Sequence, residues 1–191
     1  MTSLHAGMLL VATPALADPH FAATVVLLLD VEDGGSEHSG GALGVVLNRP
    51  SGVPVREVLG PWSPVVDEPE VLFQGGPVST EGALAVALLR DEAAPPVGFR
   101  TVEGRLGLVD LDTPVELVEG SLAGLRIFAG YAGWGAGQLD AEVQEGSWYV
   151  VPGEVVDPFR VDSSLLWRDV LRRQPGELAW NSTRPRDPNA N

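Results

Sequence analysis

The segments LNRP and QGGPV carry the residue types of a binding site. A strand that ends at Asn48 leaves Arg49 at its tip, because the proline that follows cannot continue a ladder of hydrogen bonds. An amide donates and accepts hydrogen bonds, and a guanidinium offers a planar fork of donors to an anion. QGGPV adds Gln74 and, at Gly76, backbone that a partner can approach closely. Two interpretations fit these residues: the two loops line one pocket, or Asn48 forms a turn and Arg49 is a surface side chain paired with one of the many acids. The residue types by themselves favour the second.

The glycine-rich segment GYAGWGAGQLDAE has the position of a phosphate-binding loop, since it lies between a predicted strand and a predicted helix. Gln138 stands where a third glycine would complete a G-x-G-x-x-G pattern, and no lysine follows. The acids of the next helix would also repel a polyphosphate. A tight turn in which Tyr131 and Trp134 pack inward explains the segment better. The candidate ligand-binding residues are Asn48, Arg49, Gln74, Gly76, Tyr131, Trp134 and Gln138.

Groups suited to catalysis or to metal binding are sparse. His5, His20 and His38 form no His-x-x-x-His pair. The loop VEDGGSEHSGG holds Glu37, His38 and further acids whose oxygen atoms can bind Ca²⁺ or Mg²⁺ weakly, although such a run is usually a solvated loop. There is no Gly-x-Ser-x-Gly motif, and Ser39 beside His38 is only sequence adjacency. The sequence therefore predicts no catalytic set, no bound metal and no cofactor.

The charge of the chain narrows the range of partners. In 191 residues, 26 acids face 12 bases, for a formal net charge of −14, and every base is an arginine. Such a chain is repelled by the phosphates of DNA and RNA and by anionic membranes. The absence of lysine removes Schiff-base chemistry, and the absence of cysteine removes disulfides and thiolate sites. We therefore expect a protein or small-molecule partner, not a nucleic acid or a membrane.

Runs rich in valine and leucine, bounded by turn residues, predict strands along most of the chain. The first run, GMLLVATPALADP, resembles a secretory signal, but no base precedes it and Pro14 interrupts it, so we predict a strand over residues 7–12. Further strands are predicted in TVVLLLD, ALGVVLN, VLFQ, GLRIFAG and WYVVP, and a strand pair in GFRTVEGRLGLVD. ALAVALLR is a strand or a short helix, because periodicity does not separate the two.

Two segments carry helix-start signals. TPVELVEG offers Thr113 as an N-cap before a proline at the first helical position. DSSLLWRDVLRR predicts the clearest helix, capped by Asp162 or Ser163 and ended by a Pro-Gly pair. Its apolar stripe consists of Leu165, Leu166, Val170 and Leu171. The mixture of strands and short helices indicates an α/β or α+β fold, with one domain over residues 7–175 and a C-terminal extension over 176–191.

Four motifs occur in a specific order: TPALADPHFAATVVLL, GALGVVLNRP, QGGPV, and GYAGWGAGQLDAE followed by a tryptophan. With these motifs in this order, the chain resembles the YqgE/AlgH family of bacterial proteins over nearly its whole length. The resemblance implies a single domain whose mixed, mostly antiparallel sheet curls towards a barrel, with short helices packed outside, in a cytoplasmic setting. It implies no established activity, although some members carry a label as transcriptional regulators of exopolysaccharide production.

The positions that match the family's motifs include most of the candidate site. They are Pro14, Asp18, Pro19, Phe21, Gly44, Asn48, Pro50, Gly75, Gly76, Pro77, Gly130, Tyr131, Trp134, Gly137, Gln138 and Trp148. The family usually has a histidine soon after the second strand. Here His38 lies beyond an acidic insertion, so it does not match the position of the family's histidine, and no role is carried over to it.

Taken together, these features favour a non-enzymatic binding or regulatory protein of the cytoplasm. The alternative hypothesis is an enzyme of unknown reaction that uses loop carboxylates, or a weakly bound metal, around Glu37 and His38.

The charge argument predicts no direct binding to duplex DNA. At physiological salt, the chain should not retard a short DNA duplex in a gel-shift assay, because its net charge opposes contact with phosphates and no helix-turn-helix pattern is present. A retarded band whose affinity falls as salt is raised would contradict this prediction.

Overall fold

The computed structural model describes residues 4–32 and 40–183. Among them lie ten β-strands and four short α-helices, with short 3-10 helices between some of the elements. The strands are β1 (Met8–Ala12), β2 (Val25–Val31), β3 (Ala42–Val46), β4 (Pro50–Pro54), β5 (Val71–Gln74), β6 (Val78–Leu89), β7 (Phe99–Glu103), β8 (Leu106–Val109), β9 (Leu122–Trp134) and β10 (Trp148–Pro152). The helices are α1 (Val55–Val58), α2 (Gln138–Gln144), α3 (Leu166–Arg172) and α4 (Glu177–Asn181).

The strands form one mixed sheet that curls into a half-barrel. Its order is β10-β1-β2-β3-β9-β6-β8-β7, and neighbours along this path are antiparallel. β5 adds the one parallel pairing given for the described residues, to β9, and carries β4 on its other side. The fold class predicted from the sequence is confirmed: a single domain with a mostly antiparallel, curled sheet and a few short helices.

Strands β1 and β2 read as unbroken apolar runs because the sheet is covered on both faces. Side chains alternate across the sheet, so Leu9 and Val11 enter one cluster, with Phe128 and helix α3. Leu10 and Ala12 enter another cluster, on the opposite face, with residues of α2. Burial on both faces removes the polar alternation that would mark a strand exposed to water on one side.

Helix α3 closes one end of the half-barrel. Trp167 is fully buried, and its indole Nε1 donates to the carbonyl of Ala12 at 2.9 Å. The helix begins at Leu166, which is three residues later than a cap at Asp162 predicted and two later than a cap at Ser163 predicted. Asp162 instead accepts a bond from the backbone N–H of Ser164, and Leu165 precedes the helix with 48% of its surface exposed. Burial of the tryptophan and of its apolar neighbours fixes the helix start more strongly than a cap, which contributes only about 1 kcal/mol.

Other local predictions have mixed outcomes. ALAVALLR belongs to strand β6, and TPVELVEG forms only a 3-10 turn, Val115–Leu117, in which Thr113 provides no side-chain cap. The short helix α4 was not predicted; it lies in the segment assigned to the C-terminal extension and packs Leu178 against the core.

A buried arginine occupies the middle of β9. Arg126 is 1% exposed, its guanidinium carbon lies 4.2 Å from the centre of the Phe73 ring, and its Nη2 donates to the carbonyl of Glu68 at 2.9 Å. Within the described residues, its Nε and Nη1 atoms have no hydrogen-bond partner. Burial lowers the pKa of Arg126 to about 10, and attraction from Asp67 and Glu68 opposes that shift. The side chain therefore remains charged at neutral pH and bears a desolvation cost.

Because the buried charge is poorly compensated, Arg126 should contribute to stability through its volume more than through its charge. We expect Arg126→Ala to lower the free energy of unfolding by roughly 3 kcal/mol, and Arg126→Met to stay within about 1.5 kcal/mol of the original protein. Denaturant unfolding measures both values. Arg100→Ala serves as the surface control, since the Arg100 side chain is 60% exposed. Equal and large losses in the two Arg126 variants would show instead that the charge itself is required.

Candidate functional site

Asn48 holds the start of strand β2. Its Oδ1 accepts a hydrogen bond from the backbone N–H of Val25 at 3.0 Å, and its Nδ2 donates to the carbonyl of Ala23 at 2.9 Å. These two bonds replace the sheet pairing that a tight turn at residues 21–24 interrupts. The amide that the sequence offered as a ligand group is therefore bonded to backbone, and Asn48 does not line the neighbouring pocket.

Arg49 extends along the same loop. Its Nη1 donates to the carbonyl of His20 at 2.6 Å, and its Nη2 donates to the carbonyls of Pro19 and Ala22 at 3.0 and 3.2 Å. Burial lowers the pKa of Arg49, and attraction from Asp18 acts in the opposite direction. Carbonyl partners do not neutralise a guanidinium, so its charge remains available next to the loop.

A pocket of about 320 Å³ opens beside Arg49, and we call it the Arg49 pocket. It brings together three of the candidate residues, Arg49, Gln74 and Gly76. The complete lining consists of His20, Val46, Arg49, Gln74, Gly76, Pro77, Thr80 and Ala129.

The pocket lies where β9 changes its neighbour from β5 to β3. The backbone N–H of Gly75 donates to Ala129, and the N–H of Val46 donates to Gly75, both at 2.8 Å. Gly76 then passes so close to Tyr131 that an added Cβ would overlap the Tyr131 backbone. The glycines of QGGPV are therefore required by this close approach, and they leave bare backbone in the pocket wall.

A bulge in β6 brings a hydroxyl to the same pocket. The register between β6 and β9 shifts between Val78 and Ala83, and Thr80 lies in the intervening bulge. Such bulges re-aim side chains at the edges of sites. The side chains of His20, Gln74 and Thr80 make no hydrogen bond to any residue in the described part of the chain. Three polar side chains without a partner in the described part of the chain thus converge on one hollow.

The other candidate residues, near the glycine-rich segment, form a separate hydrogen-bonded cluster. Glu142 Oε2 accepts from the indole Nε1 of Trp134 and from that of Trp148, each at 2.9 Å, and Glu142 Oε1 accepts from Gln138 Nε2 at 2.9 Å. Phe21 stacks on Trp134, with the ring centres 6.0 Å apart, and meets the edge of Trp148. One carboxylate therefore satisfies two buried indoles.

The turn before α2 explains the glycines of this segment. Gly137 caps α2 with φ at +72°, a conformation that side-chain-bearing residues rarely adopt, and Leu139 is buried behind it. The Gln138 amide oxygen accepts from the N–H of Gly135 at 3.1 Å. Tyr131 packs partly buried against the cluster that holds Phe128. Tyr131, Trp134 and Gln138 therefore lie outside the Arg49 pocket.

Sequence reasoning did not single out His20, Thr80 or Glu142 as partners in these arrangements. The spacing of Gln138 and Glu142, four residues apart on a helix, was a usable signal, since side chains at that spacing meet on one face. No comparable signal exists for Thr80, because a bulge depends on the register of the partner strand.

The alternative hypothesis places a weakly bound metal at Glu37 and His38 of the acidic loop. Glu37 and His38 lie outside the described residues. Within residues 4–32 and 40–183, no group of three or more acidic or histidine side chains is placed to hold a metal ion. None of the helices in that part of the chain has the length and hydropathy needed to cross a bilayer.

These features define the class of protein as a one-domain half-barrel. Its mixed sheet is curled, glycines bound an internal junction of the sheet, and short helices lie outside it. The chain belongs to the AlgH-like family, whose model matches residues 9–179. This confirms the resemblance that the four sequence motifs carried.

Relatives that share about half of their residues with this chain are bacterial proteins named UPF0301. A UPF0301 protein of Streptomyces coelicolor is 54% identical over 191 residues, covering 97% of this chain and 94% of its own length. A UPF0301 protein of Thermobifida fusca is 49% identical over 193 residues, with the same coverage of 97% and 94%.

Two solved structures share the fold. A crystal structure of protein DIP2367 from Corynebacterium diphtheriae has a TM-score of 0.87 and 32% identity, covering 96% of this chain and 94% of that one. The solution structure of AlgH from Pseudomonas aeruginosa has a TM-score of 0.65 and 27% identity, covering 94% and 93%.

Loss of the Glu142 carboxylate should destabilise the protein. Glu142→Ala would leave two buried indole N–H groups without an acceptor, so we expect a loss of roughly 2–4 kcal/mol in the free energy of unfolding. Glu142→Gln should lose less than about half of that, because its amide oxygen can still accept. Denaturation followed by tryptophan fluorescence measures both, with Glu145→Ala, an exposed change at the end of α2, as control. Similar values for Glu142→Ala and Glu145→Ala would contradict the role of the cluster.

Proposed function

We propose that this protein is a binding protein of the cytoplasm, without catalytic chemistry of its own, that takes a small ligand or a short partner segment in the Arg49 pocket. The observation that carries the proposal is the convergence of Arg49, Gln74 and Thr80 on one hollow. Arg49 keeps its charge although it is bonded to carbonyls, and the side chains of Gln74 and Thr80 make no hydrogen bond to a described residue. Polar groups of this kind, placed around apolar walls, are typical of a ligand site.

The chemistry of the lining supports binding more than turnover. A catalytic hydroxyl needs a base within hydrogen-bonding distance, and that base needs a group to orient it. Thr80 and His20 both line the pocket, but neither side chain is bonded to a described residue. The second hypothesis, an enzyme built on Glu37 and His38, has no observation in its favour among the described residues.

A regulatory role is compatible with the position of the loop over residues 18–23. On one side Arg49 holds the carbonyls of His20 and Ala22. On the other side Phe21 packs against the two indoles that Glu142 binds. A ligand that contacts Arg49 and His20 would therefore alter the order of a segment that also contacts the tryptophan cluster. Occupancy of the pocket can thus be transmitted to the surface near α2.

A ligand should raise the thermal stability of the full chain and change its tryptophan fluorescence. A compound at a hundred times its dissociation constant stabilises a protein by about 2.7 kcal/mol, which corresponds to roughly 5–10 °C in melting temperature for a domain of this size. We expect a metabolite thermal-shift screen to find such a compound, and Gln74→Ala to weaken its effect.

The matched control is Gln144→Ala, which removes an exposed glutamine outside the Arg49 pocket. It should leave the ligand-induced shift unchanged. Turnover of the bound compound that disappears in Gln74→Ala would overturn the non-catalytic assignment. Ligand-induced shifts that are equal in both variants would remove the pocket from the proposal.

A further inference from the structure

The Arg49 pocket differs in charge from the rest of the molecule. The chain carries 26 acids against 12 bases, yet the pocket lining contains an arginine and no acid. Asp18 lies near enough to influence Arg49, but its carboxylate accepts from the backbone N–H of His20 at 2.7 Å and is not part of the lining. A lining with an arginine and no acid favours an anionic ligand over a cationic one, because opposite charges attract most strongly at short range.

The hydrogen-bond donors in the pocket suit a ligand that has oxygen atoms as acceptors. A guanidinium has five N–H donors, and Arg49 uses three bonds to carbonyls, which leaves donors unused. The amide of Gln74 and the hydroxyl of Thr80 add two more donor groups, and neither is bonded to a described residue. Hydrogen bonds between such donors and an ionised oxygen are about twice as strong as those between neutral groups.

The remaining lining sets the shape of the ligand body. Val46, Pro77 and Ala129 supply small apolar surfaces, and Gly76 supplies bare backbone. The volume, about 320 Å³, is at the lower end of the range for small-molecule sites. A compact apolar group carrying one anionic head fits this combination.

One positive side chain matches a monoanion better than a dianion. A phosphate monoester carries close to two negative charges at neutral pH, and Arg49 would face it as the single lining arginine while Asp18 lies nearby. A carboxylate carries one charge, and its two oxygens fit a guanidinium edge and a neighbouring amide.

We infer that the Arg49 pocket binds a carboxylate attached to a small apolar body, with Arg49, Gln74 and Thr80 as the groups that contact the carboxylate. The inference rests on the proposed function and specifies its ligand class. Two sources share this chemistry: a free organic acid, and the C-terminal carboxylate of a polypeptide that ends in an apolar residue.

The test uses benzoate and benzamide, which have the same shape but differ in charge. In ¹⁵N-correlated spectra of the full chain, benzoate should shift the amide signals of Gln74, Gly76 and Thr80 saturably. Benzamide should bind at least about tenfold more weakly, because it lacks the charge-assisted hydrogen bonds. Inorganic phosphate should also bind at least about tenfold more weakly than benzoate.

Three variants assign the contacts. Arg49→Gln should weaken benzoate about tenfold or more, whereas Arg100→Gln removes the same charge from strand β7, outside the pocket, and should leave the affinity within about twofold. Arg49→Gln also removes bonds that hold the loop over residues 18–23 and can disturb it. Thr80→Val keeps the shape of a side chain that is bonded to no described residue, and it should weaken benzoate about threefold to tenfold with the spectrum otherwise unchanged.

The source of the carboxylate is resolved with a short apolar peptide, prepared with a free and with an amidated C-terminus. Tighter binding of the free-acid peptide than of benzoate identifies a polypeptide terminus, and the reverse identifies a free acid; either result supports the inference.

Two outcomes overturn it and are distinguishable. Equal affinity for benzoate and benzamide at the pocket would end the carboxylate assignment and leave pocket binding intact. If no probe shifts the pocket signals and the metabolite screen finds no ligand that depends on Gln74, the proposed function falls as well.

Discussion

Strand β9 is the element on which the remaining architecture depends, because its backbone pairs with three other strands. Along one edge it pairs with β6, and along the other it pairs first with β5 in parallel and then with β3 in antiparallel orientation. The change of neighbour is possible only where Gly75 and Gly76 pass against the backbone of residues 130–131 without a Cβ between them. The Arg49 pocket lies at this change and is lined by residues from β3, β5, the β6 bulge and β9. The pairing of the sheet therefore sets the walls of the pocket, and the loops that follow β1, β3 and β5 add His20, Arg49, Gly76 and Pro77.

The segment over residues 18–23 connects that junction to the C-terminal end of β9, at Trp134. Arg49 and Asn48, adjacent in sequence, bind its backbone from one side and so fix the entry into β2. Phe21 from the same segment completes an aromatic cluster with Trp134 and Trp148, and Glu142 satisfies both indoles. Polar side chains that resemble functional groups in the sequence thus serve mainly to satisfy backbone and indole groups that would otherwise be buried without partners, which is costly. In the Arg49 pocket, by contrast, the side chains of Gln74 and Thr80 have no hydrogen-bond partner among the described residues.

The net negative charge of the chain affects charged partners at long range, whereas its few arginines form local contacts within the fold. Arg126 is held inside the half-barrel against Phe73, and Arg173 and Arg160 pair with Asp157 and Asp169 to fix α3 against the preceding turn. These bases are used for packing, so they contribute little to an attractive surface for nucleic acid. Arg49 differs from these arginines because its hydrogen-bond partners are neutral carbonyls and its charge faces a pocket. The same scarcity of bases that argues against phosphate-rich partners therefore gives one pocket a distinct electrostatic character.

The sequence by itself determined the fold class and most strand positions, because apolar runs between turn residues have few other solutions in a chain of this composition. It also indicated that the glycines before α2 serve turn geometry, whereas the close approach of Gly76 to the Tyr131 backbone is seen only in the structure. Helix α3 was predicted, but its first residue was not, since local capping is weaker than burial of Trp167. Only the tertiary structure decided that Arg49 and Gln74 share a pocket while Trp134 and Gln138 join Glu142, and that the Asn48 amide is bonded to backbone. These contacts join residues far apart in sequence, and they depend on strand register and on a bulge, which no local pattern specifies.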